Sequence, residues 1–552
     1  MSSRDNIEAA PSSAGGMIEM RPVHPDITAA TEKHEIEIRD HIDSDMALRE
    51  GKGEAVHAET YEHQMTLIEA VKMYPEACFW AFVISFCIIM ESYDTFLIGN
   101  YVALPAFQQA FGEYVEGTGW VLATRWQTAL QQAGQLGALV GIFICGPLTN
   151  RVGYRWATII GLVLMNATIF ISFFAQSLPV VLIGQLFEGI PWGFFIANAP
   201  AYSSEVVPLA LRGAATAYVM MCWSLGNMIS NGVTYVMNQR TDEWAYRLPF
   251  GWQWMFPTPL LILVIFAPES PWWLVRKGRH DEALKSIRRL GSKSAPDPTD
   301  VLAMMIRTAN IEQQETQGAS YRDLLRGTDL RRTLIICGIY MAQNWAGNLI
   351  ANQAVYFFEQ AGISTDFAFA LGLISSALQV VGVCMSWVAG AYFGRRTLYL
   401  AGTITNAIFA LILGIVASVG HSTGASYAQA VLGILISFMM GFILGPVSYT
   451  IIAETSSVRL RALSTGVGRA AYYVAEIPTI FLSSWMLNPT GGNLAGKSGY
   501  VWFGTATACL IVAYFQLPEM RGRSYRELDI LFHRRTSARK FASTEVDLGE
   551  DE

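Results

Sequence analysis

Charge is scarce in this sequence: Asp, Glu, Lys and Arg make up 15 % of its 552 residues, against roughly a quarter in soluble proteins. Hydrophobic residues make up 52 %, and mean hydropathy is +0.31 although the first 75 residues are polar. A large soluble enzyme, a disordered scaffold and a nucleic-acid binder are excluded on that ground. Cysteine is also sparse, and all seven (Cys78, Cys87, Cys145, Cys222, Cys337, Cys384, Cys509) fall inside apolar stretches with neither metal-ligand nor disulfide spacing. The sequence lacks a glycine-rich phosphate loop, a nucleophile–base arrangement and a metal cluster, which argues against catalysis and against an ATP-driven pump. A cleavable signal peptide is missing too, because the first apolar run begins only near residue 77. The first membrane helix must itself serve as the insertion signal.

What is present is hydrophobic length. A bilayer core needs about 20 apolar residues per helix, and twelve runs meet that: 77–99, 126–149, 155–176, 179–201, 212–236, 250–267, 332–357, 366–390, 397–419, 426–452, 463–487 and 499–517. The expected fold is an all-α membrane protein with two six-helix halves, 76–267 and 332–517. Between them, 268–331 is polar, and its HDEALKSIRRL and PTDVLAMMIRTANIEQQE segments read as amphipathic helices of a small intracellular domain. The N-terminal tail, 1–75, holds seven Lys/Arg and fifteen Asp/Glu and so carries the whole net acidity. The C-terminal tail, 518–552, is charged and reads as loosely ordered. Glycines in GQLGALVG (134–141) suit close helix contacts in lipid.

Cationic residues set the expected orientation. Arg151, Arg155, Arg212, Arg395, Arg396, Arg459, Arg461 and Arg469 fall on one side, against Arg125, Arg240, Arg247 and Lys497 on the other. Both termini and the central domain are therefore expected in the cytoplasm, in a multi-pass protein of the plasma membrane. The chain also repeats itself. Glu205 and Arg212 recur 249 residues on as Glu454 and Arg461, Pro268-Glu269 recurs 250 residues on as Pro518-Glu519, and NRVGYR (150–155) is echoed by GAYFGRR (390–396). A single offset across three echoes points to two parallel halves, an arrangement found in secondary transporters.

Those motifs, together with YSSEVVPLALRG (202–213), PESPWWLVRKGR (268–279), ETSSVRLRA (454–462) and PEMRGRSYRELD (518–529), resemble the sugar porters of the major facilitator superfamily over about 70–535. ESYDTFLIGNYVALPAF (91–107), GQLFEGIPWGFF (184–195), RLPFGWQW (247–254) and VYFFEQAG (355–362) are similar to the fungal maltose and general α-glucoside permeases. The resemblance implies proton-coupled import of a disaccharide by alternating access, with no cofactor beyond the proton gradient and with sugar and protons as partners. Lactose or cellobiose transport, an uncoupled facilitator and a sugar sensor are the alternatives. The acidic N-terminal tail suits turnover by ubiquitin-type machinery, although any solvated tail shares its composition.

Glu91 and Asp94 lie three apart in the first run, where a buried carboxylate is costly unless paired, wetted or protonated. The resemblance makes Asp94 the proton carrier and Glu91 its modulator. Many relatives place an Arg in the fourth helix, where this chain has Gln185; Glu188 adds an acid one turn on, and Gln135 replaces a carboxylate of some maltose permeases. For the sugar, amides match vicinal hydroxyls. Gln343 and Asn344 match the family's glutamine pair, Asn348, Asn352 and Gln353 add further amides, and Asn227 and Tyr449 match family positions for a Gln and a Trp. Arg469 and Glu476 share a helix face and either neutralise each other or line the cavity. At the helix ends, Glu205 with Arg212 and Glu454 with Arg461, joined by Arg151 and Arg395, are expected to form ion pairs that hold the intracellular face shut.

Overall fold

A computed structural model describes residues 67–116, 119–316, 321–420, 422–457, 460–521, 523 and 525–544. Nearly all of the N-terminal tail, with the turnover sites expected on it, lies outside these residues, as do 545–552. Twelve helical segments follow the twelve runs: α1 Pro75–Tyr101, α2 Thr124–Val152, α3 Tyr154–Phe173, α4 Leu178–Val206, α5 Leu209–Met237 and α6 Trp244–Ile265, then α7 from Gly327 to Gln360, α8 Thr365–Tyr392, α9 Arg395–Val419, α10 Thr423–Thr455, α11 Arg461–Leu487 and α12 Ser498–Gln516. Among the described residues, nine helices are long and apolar enough to cross a bilayer. The three that fall short are α5, α7 and α11, and these are the helices carrying Asn227 and Asn231, Gln343 and Asn344, and Arg469 and Glu476. Polar residues lower the hydropathy of α5 and α11, whereas α7 is broken into pieces, the longest being the 17 residues Gly327–Gln343.

Burial ranks the helices by position. In its most apolar window α1 is 83 % buried and the last span only 28 %, so α1 is central and α12 faces outward. Small residues bring α2 and α4 together. A Cβ on Gly137 would strike the Leu186 carbonyl and one on Gly193 the Ala138 carbonyl, so these backbones touch directly. Gly226 does the same for α5 against Ile89 and Ser92 of α1. α7 is broken. Gly347 takes φ +94°, which only glycine adopts without strain, and Gln353 interrupts the helix again before Ala354–Gln360. The freed carbonyls find partners: Thr505 Oγ1 donates to Trp345 O at 2.6 Å, and the Asn406 amide to Ala346 O.

The sequence repeat has a structural counterpart at one face. After α6, Glu269 reaches back and accepts the N–H groups of Tyr154 (3.0 Å) and Arg155 at the start of α3. After α12, Glu519 accepts those of Arg395 (2.8 Å) and Thr397 at the start of α9. Each glutamate satisfies orphan helix donors and sits at the positive end of a helix dipole. A Cβ on Gly153 or Gly394 would collide with the capping carboxylate, which explains glycine in both echoes.

Among the described residues the central stretch holds three α-helices, Pro271–Arg276, His280–Leu290 and Pro298–Thr316, packed around Trp273, Ala283, Ile287, Val301 and Met304. Two expectations need correction, and one element was not anticipated. The C-terminal tail is not loose over its first half: Tyr525–His533 is a helix whose Leu528, Leu531 and Phe532 are buried, with Arg332 stacked 4.4 Å from the Phe532 ring. Its apolar residues, spaced as YRELDILFH, form one stripe that needs cover. Arg469 is no loop cation, since it lies two turns inside α11. Finally, the α1–α2 connection contains a small antiparallel hairpin, Glu113–Val115 with Gly119–Val121, in which Tyr114 pairs with Trp120.

Candidate functional site

Among the described residues, two narrow cavities stand out between the two halves. The larger is bordered by Gln131, Gln135, Gln185, Trp192, Gln353 and Glu476; the smaller by Asn100, Asn227, Asn231, Ser375 and Gln379. Asn352 borders both, and Gly99 of α1 packs against its backbone carbonyl, so the α1–α7 seam divides them.

The carboxylates fall into two groups. Asp94 is fully buried, and its Oδ1 accepts from Gln253 Nε2 at 2.6 Å and from Gln185 Nε2 at 3.3 Å. Gln185 also donates to Glu188 Oε2 at 2.8 Å, which links α1, α4 and α6 through amides alone. Glu91, also buried, has Arg469 and Glu476 of α11 as its charged neighbours besides Asp94. The three-residue spacing keeps Glu91 and Asp94 adjacent while aiming them at different halves of the molecule. Arg469 Nη1 donates to the Tyr449 hydroxyl at 3.2 Å, and its guanidinium stacks 4.8 Å from the Tyr472 ring and 5.4 Å from that of Tyr473. Glu476 borders the larger cavity, feels the Arg469 charge and accepts from Tyr472 at 3.3 Å.

The amides form a relay. Asn100 donates to Asn231 (3.4 Å), Asn231 to Asn227 Oδ1 (2.7 Å), and Asn227 to Gln379 Oε1 (2.9 Å), crossing from α1 through α5 to α8. A second link crosses where Gln353 donates to Gln131 at 2.8 Å. Asn344 is buried and donates to Tyr472 O at 3.2 Å, and Gln343 is buried beside it. The side chain of Asn348 lies outside the described residues. Sequence reasoning did not single out Gln253, Gln379, Asn231 or Gln131. The available signal was an amide within an otherwise apolar span, as in FGWQW for Gln253.

At the face of the central domain, Glu205 pairs with Arg276 at 2.6 Å and also accepts from Tyr154 (3.1 Å) and Ser270. Glu454 pairs with Arg395 at 3.1 Å. The Arg212 guanidinium stacks 5.9 Å from the Trp272 ring, Arg151 is exposed at the end of α2, and the Arg461 side chain lies outside the described residues. The opposite face is bridged between halves. Asn488 donates to Gln127 (2.7 Å) and Leu122 O (2.8 Å), the Thr124 and Thr490 hydroxyls meet at 2.8 Å, and Asn238 donates to Asp366 (2.7 Å). The halves are thus tied together on the side away from the central domain.

This arrangement has known relatives. Residues 80–532 match the family described as sugar (and other) transporter. The chain is 36 % identical over 509 residues to the maltose permease MAL31 of Saccharomyces cerevisiae, covering 91 % of this chain and 83 % of that one. It is 36 % identical over 503 residues to a general alpha-glucoside permease of the same species, covering 90 % and 81 %. Its fold matches the proton:xylose symporter XylE bound to 6-bromo-6-deoxy-D-glucose, with TM-score 0.67 at 19 % identity over 83 % of this chain and 99 % of that one. The inward open form of the xylose transporter XylE from E. coli matches with TM-score 0.66 at 17 % identity, covering 82 % and 98 %. The curated relatives are permeases rather than enzymes, and the chain belongs to the sugar (and other) transporter family.

Proposed function

We propose that this chain imports a maltose-type α-glucoside across the plasma membrane by alternating access, driven by protons, with both termini and the central domain in the cytoplasm. The observation that carries the reading is that an amide relay and buried carboxylates flank the same seam between the halves. Amides offer adjacent donors and acceptors for sugar hydroxyls. Asp94, buried among neutral amides, is a carboxyl that can take a proton without losing a cationic partner. The names of the curated relatives support the substrate class. Glu91 on α1, itself facing Arg469 and Glu476 of α11, modulates that carboxyl. Gln343, Asn344, Asn348, Asn352, Gln353, Asn227 and Tyr449 contact the sugar. The helix-end charges Glu205, Arg212, Arg151, Glu454, Arg461 and Arg395 lock the cytoplasmic face during the cycle.

The test is labelled maltose uptake at pH 5 and pH 7.5 in yeast stripped of its own sugar carriers. Accumulation above the outside concentration at pH 5 is expected, and Asp94→Asn should abolish it. The presence of Gln185 in place of the family Arg favours a second reading, a facilitator; equilibrating, pH-indifferent uptake would establish that reading. No maltose flux with the protein at the cell surface would redirect the assignment to lactose or cellobiose, and after those to a sensor.

A further inference from the structure

We propose that Asp94 and Glu188 hold one proton between them and load and release it as a single unit, clamped by Gln185. The inference rests on the proton-driven reading above and identifies the group that binds the proton as a pair.

The geometry is specific. Asp94 Oδ1 is occupied by two amide donors and Glu188 Oε2 by one, whereas Asp94 Oδ2 and Glu188 Oε1 meet no donor in good hydrogen-bond geometry, with the Trp192 and Ser172 side chains as the neutral donors beside Asp94 and Glu188 respectively. The two carboxyl groups lie within hydrogen-bonding reach of each other, and both are fully buried. Two carboxylates are acceptors only, so a hydrogen bond between them requires one proton, which makes one oxygen a donor to the other. Gln185 contacts both carboxyls through a single nitrogen, so it fixes their separation. A guanidinium at that place would bring the pair to a net charge of minus one without a proton; a neutral amide leaves the proton to do so. The other titratable groups around the pair are Glu91, Tyr93 and Tyr101 on α1, Tyr246 on α6, and Glu476 across the larger cavity, with Arg469 beyond Glu91. Ser172 of α3 and Trp192 of α4 border it without charge.

In the cycle, one proton from outside water joins the pair, giving it a net charge of minus one, and the same proton leaves to water on the opposite side. No bond of the sugar changes. Once empty, the pair holds two negative charges in contact, so it takes up a new proton when the cavity next opens to the outside.

The test uses the purified full chain in proteoliposomes and reads protons taken up per sugar, a ratio independent of the amount of folded protein. Glu188→Gln donates an N–H to Asp94 in place of the shared proton, and the ratio should fall about tenfold or more near neutral pH. Gln185→Leu removes the clamp while leaving both acids, and it should shift the pH profile of uptake by about one unit or more. Infrared difference spectra supply a readout without transport. Wild type at neutral pH should show a protonated-carboxyl carbonyl stretch that disappears in both Asp94→Asn and Glu188→Gln. An unchanged proton-to-sugar ratio in Glu188→Gln, or a stretch that survives either substitution, overturns the shared proton. If wild type moves sugar without protons, the coupled reading fails instead, and the infrared result still decides whether the pair shares a proton.

Discussion

α1 and α7 hold corresponding places in the two halves, and they have been put to opposite uses. Asp94 in α1 has Asn344 as its counterpart 250 residues on, an acid answered by its amide. α1 is continuous from Pro75 to Tyr101, and its acids are held by partners on other helices. α7 is interrupted at Gly347 and again at Gln353, and its amides cluster at the breaks. On the proposed reading, the difference follows from what each must hold. A buried carboxyl needs a fixed set of neutral donors to remain inside at all, which a rigid helix supplies. A sugar needs donors and acceptors that can be re-aimed, together with backbone groups that an intact helix would keep for itself.

The largest effect should come from making α1 resemble α7. Asp94→Asn is expected to keep the fold, because Gln185 and Gln253 can still bond the amide oxygen, yet to reduce maltose accumulation at pH 5 to the outside concentration. Making α7 resemble α1 is the complementary change. Asn344→Asp places a carboxylate in a fully buried position and should cost roughly 3 kcal/mol or more, read as a lower melting temperature in detergent together with loss of uptake. Straightening α7 is milder. Gly347→Ala puts a side chain at φ +94°, worth about 1–2 kcal/mol, and should lower the maximal uptake rate more than the apparent affinity. Asn227→Ala removes one link of the relay, at about 1–1.5 kcal/mol. It should weaken half-saturation several-fold and leave the pH profile of uptake untouched, since the relay carries no proton.

A further prediction concerns the cap at the start of α3, which has a counterpart in the other half. Burial pushes the Glu269 carboxyl up from 4.5 to about 7, against the lowering effect of the backbone N–H groups it accepts. Folded protein therefore binds a proton that unfolded protein has released between those values. The contribution is full below about pH 4.5 and is lost as pH rises toward 7, by at most roughly 1.4 kcal/mol per unit. Thermal stability in detergent should fall over that range in wild type and become flatter in Glu269→Gln.

Much of this was legible in the sequence, and for definable reasons. Membrane helices are announced by length and hydropathy, so all twelve segments could be located, the sixth beginning only six residues earlier than expected. Asp94, Glu188 and Asn227 stood out because polar residues are rare in such runs. Partnerships did not stand out. Glu205 is seven residues from Arg212 in sequence, yet its pair in the structure is Arg276, brought in by the first short helix after α6. Gln253 meets Asp94 only because α6 packs beside α1, and no spacing within either run records that contact. The tail helix was missed because its charge is conspicuous and its apolar stripe of Leu528, Leu531 and Phe532 is short.

Glu269 and Glu519 each return the chain, after six helices, to the start of the third helix of its own half. Each half is thereby buckled into a closed loop of structure, its last connection fastened to its middle. A body closed in this way turns as one piece: a force applied at the central domain, whose first helix also carries the Arg276 that holds Glu205, is delivered to the whole N-terminal half rather than spent in bending it.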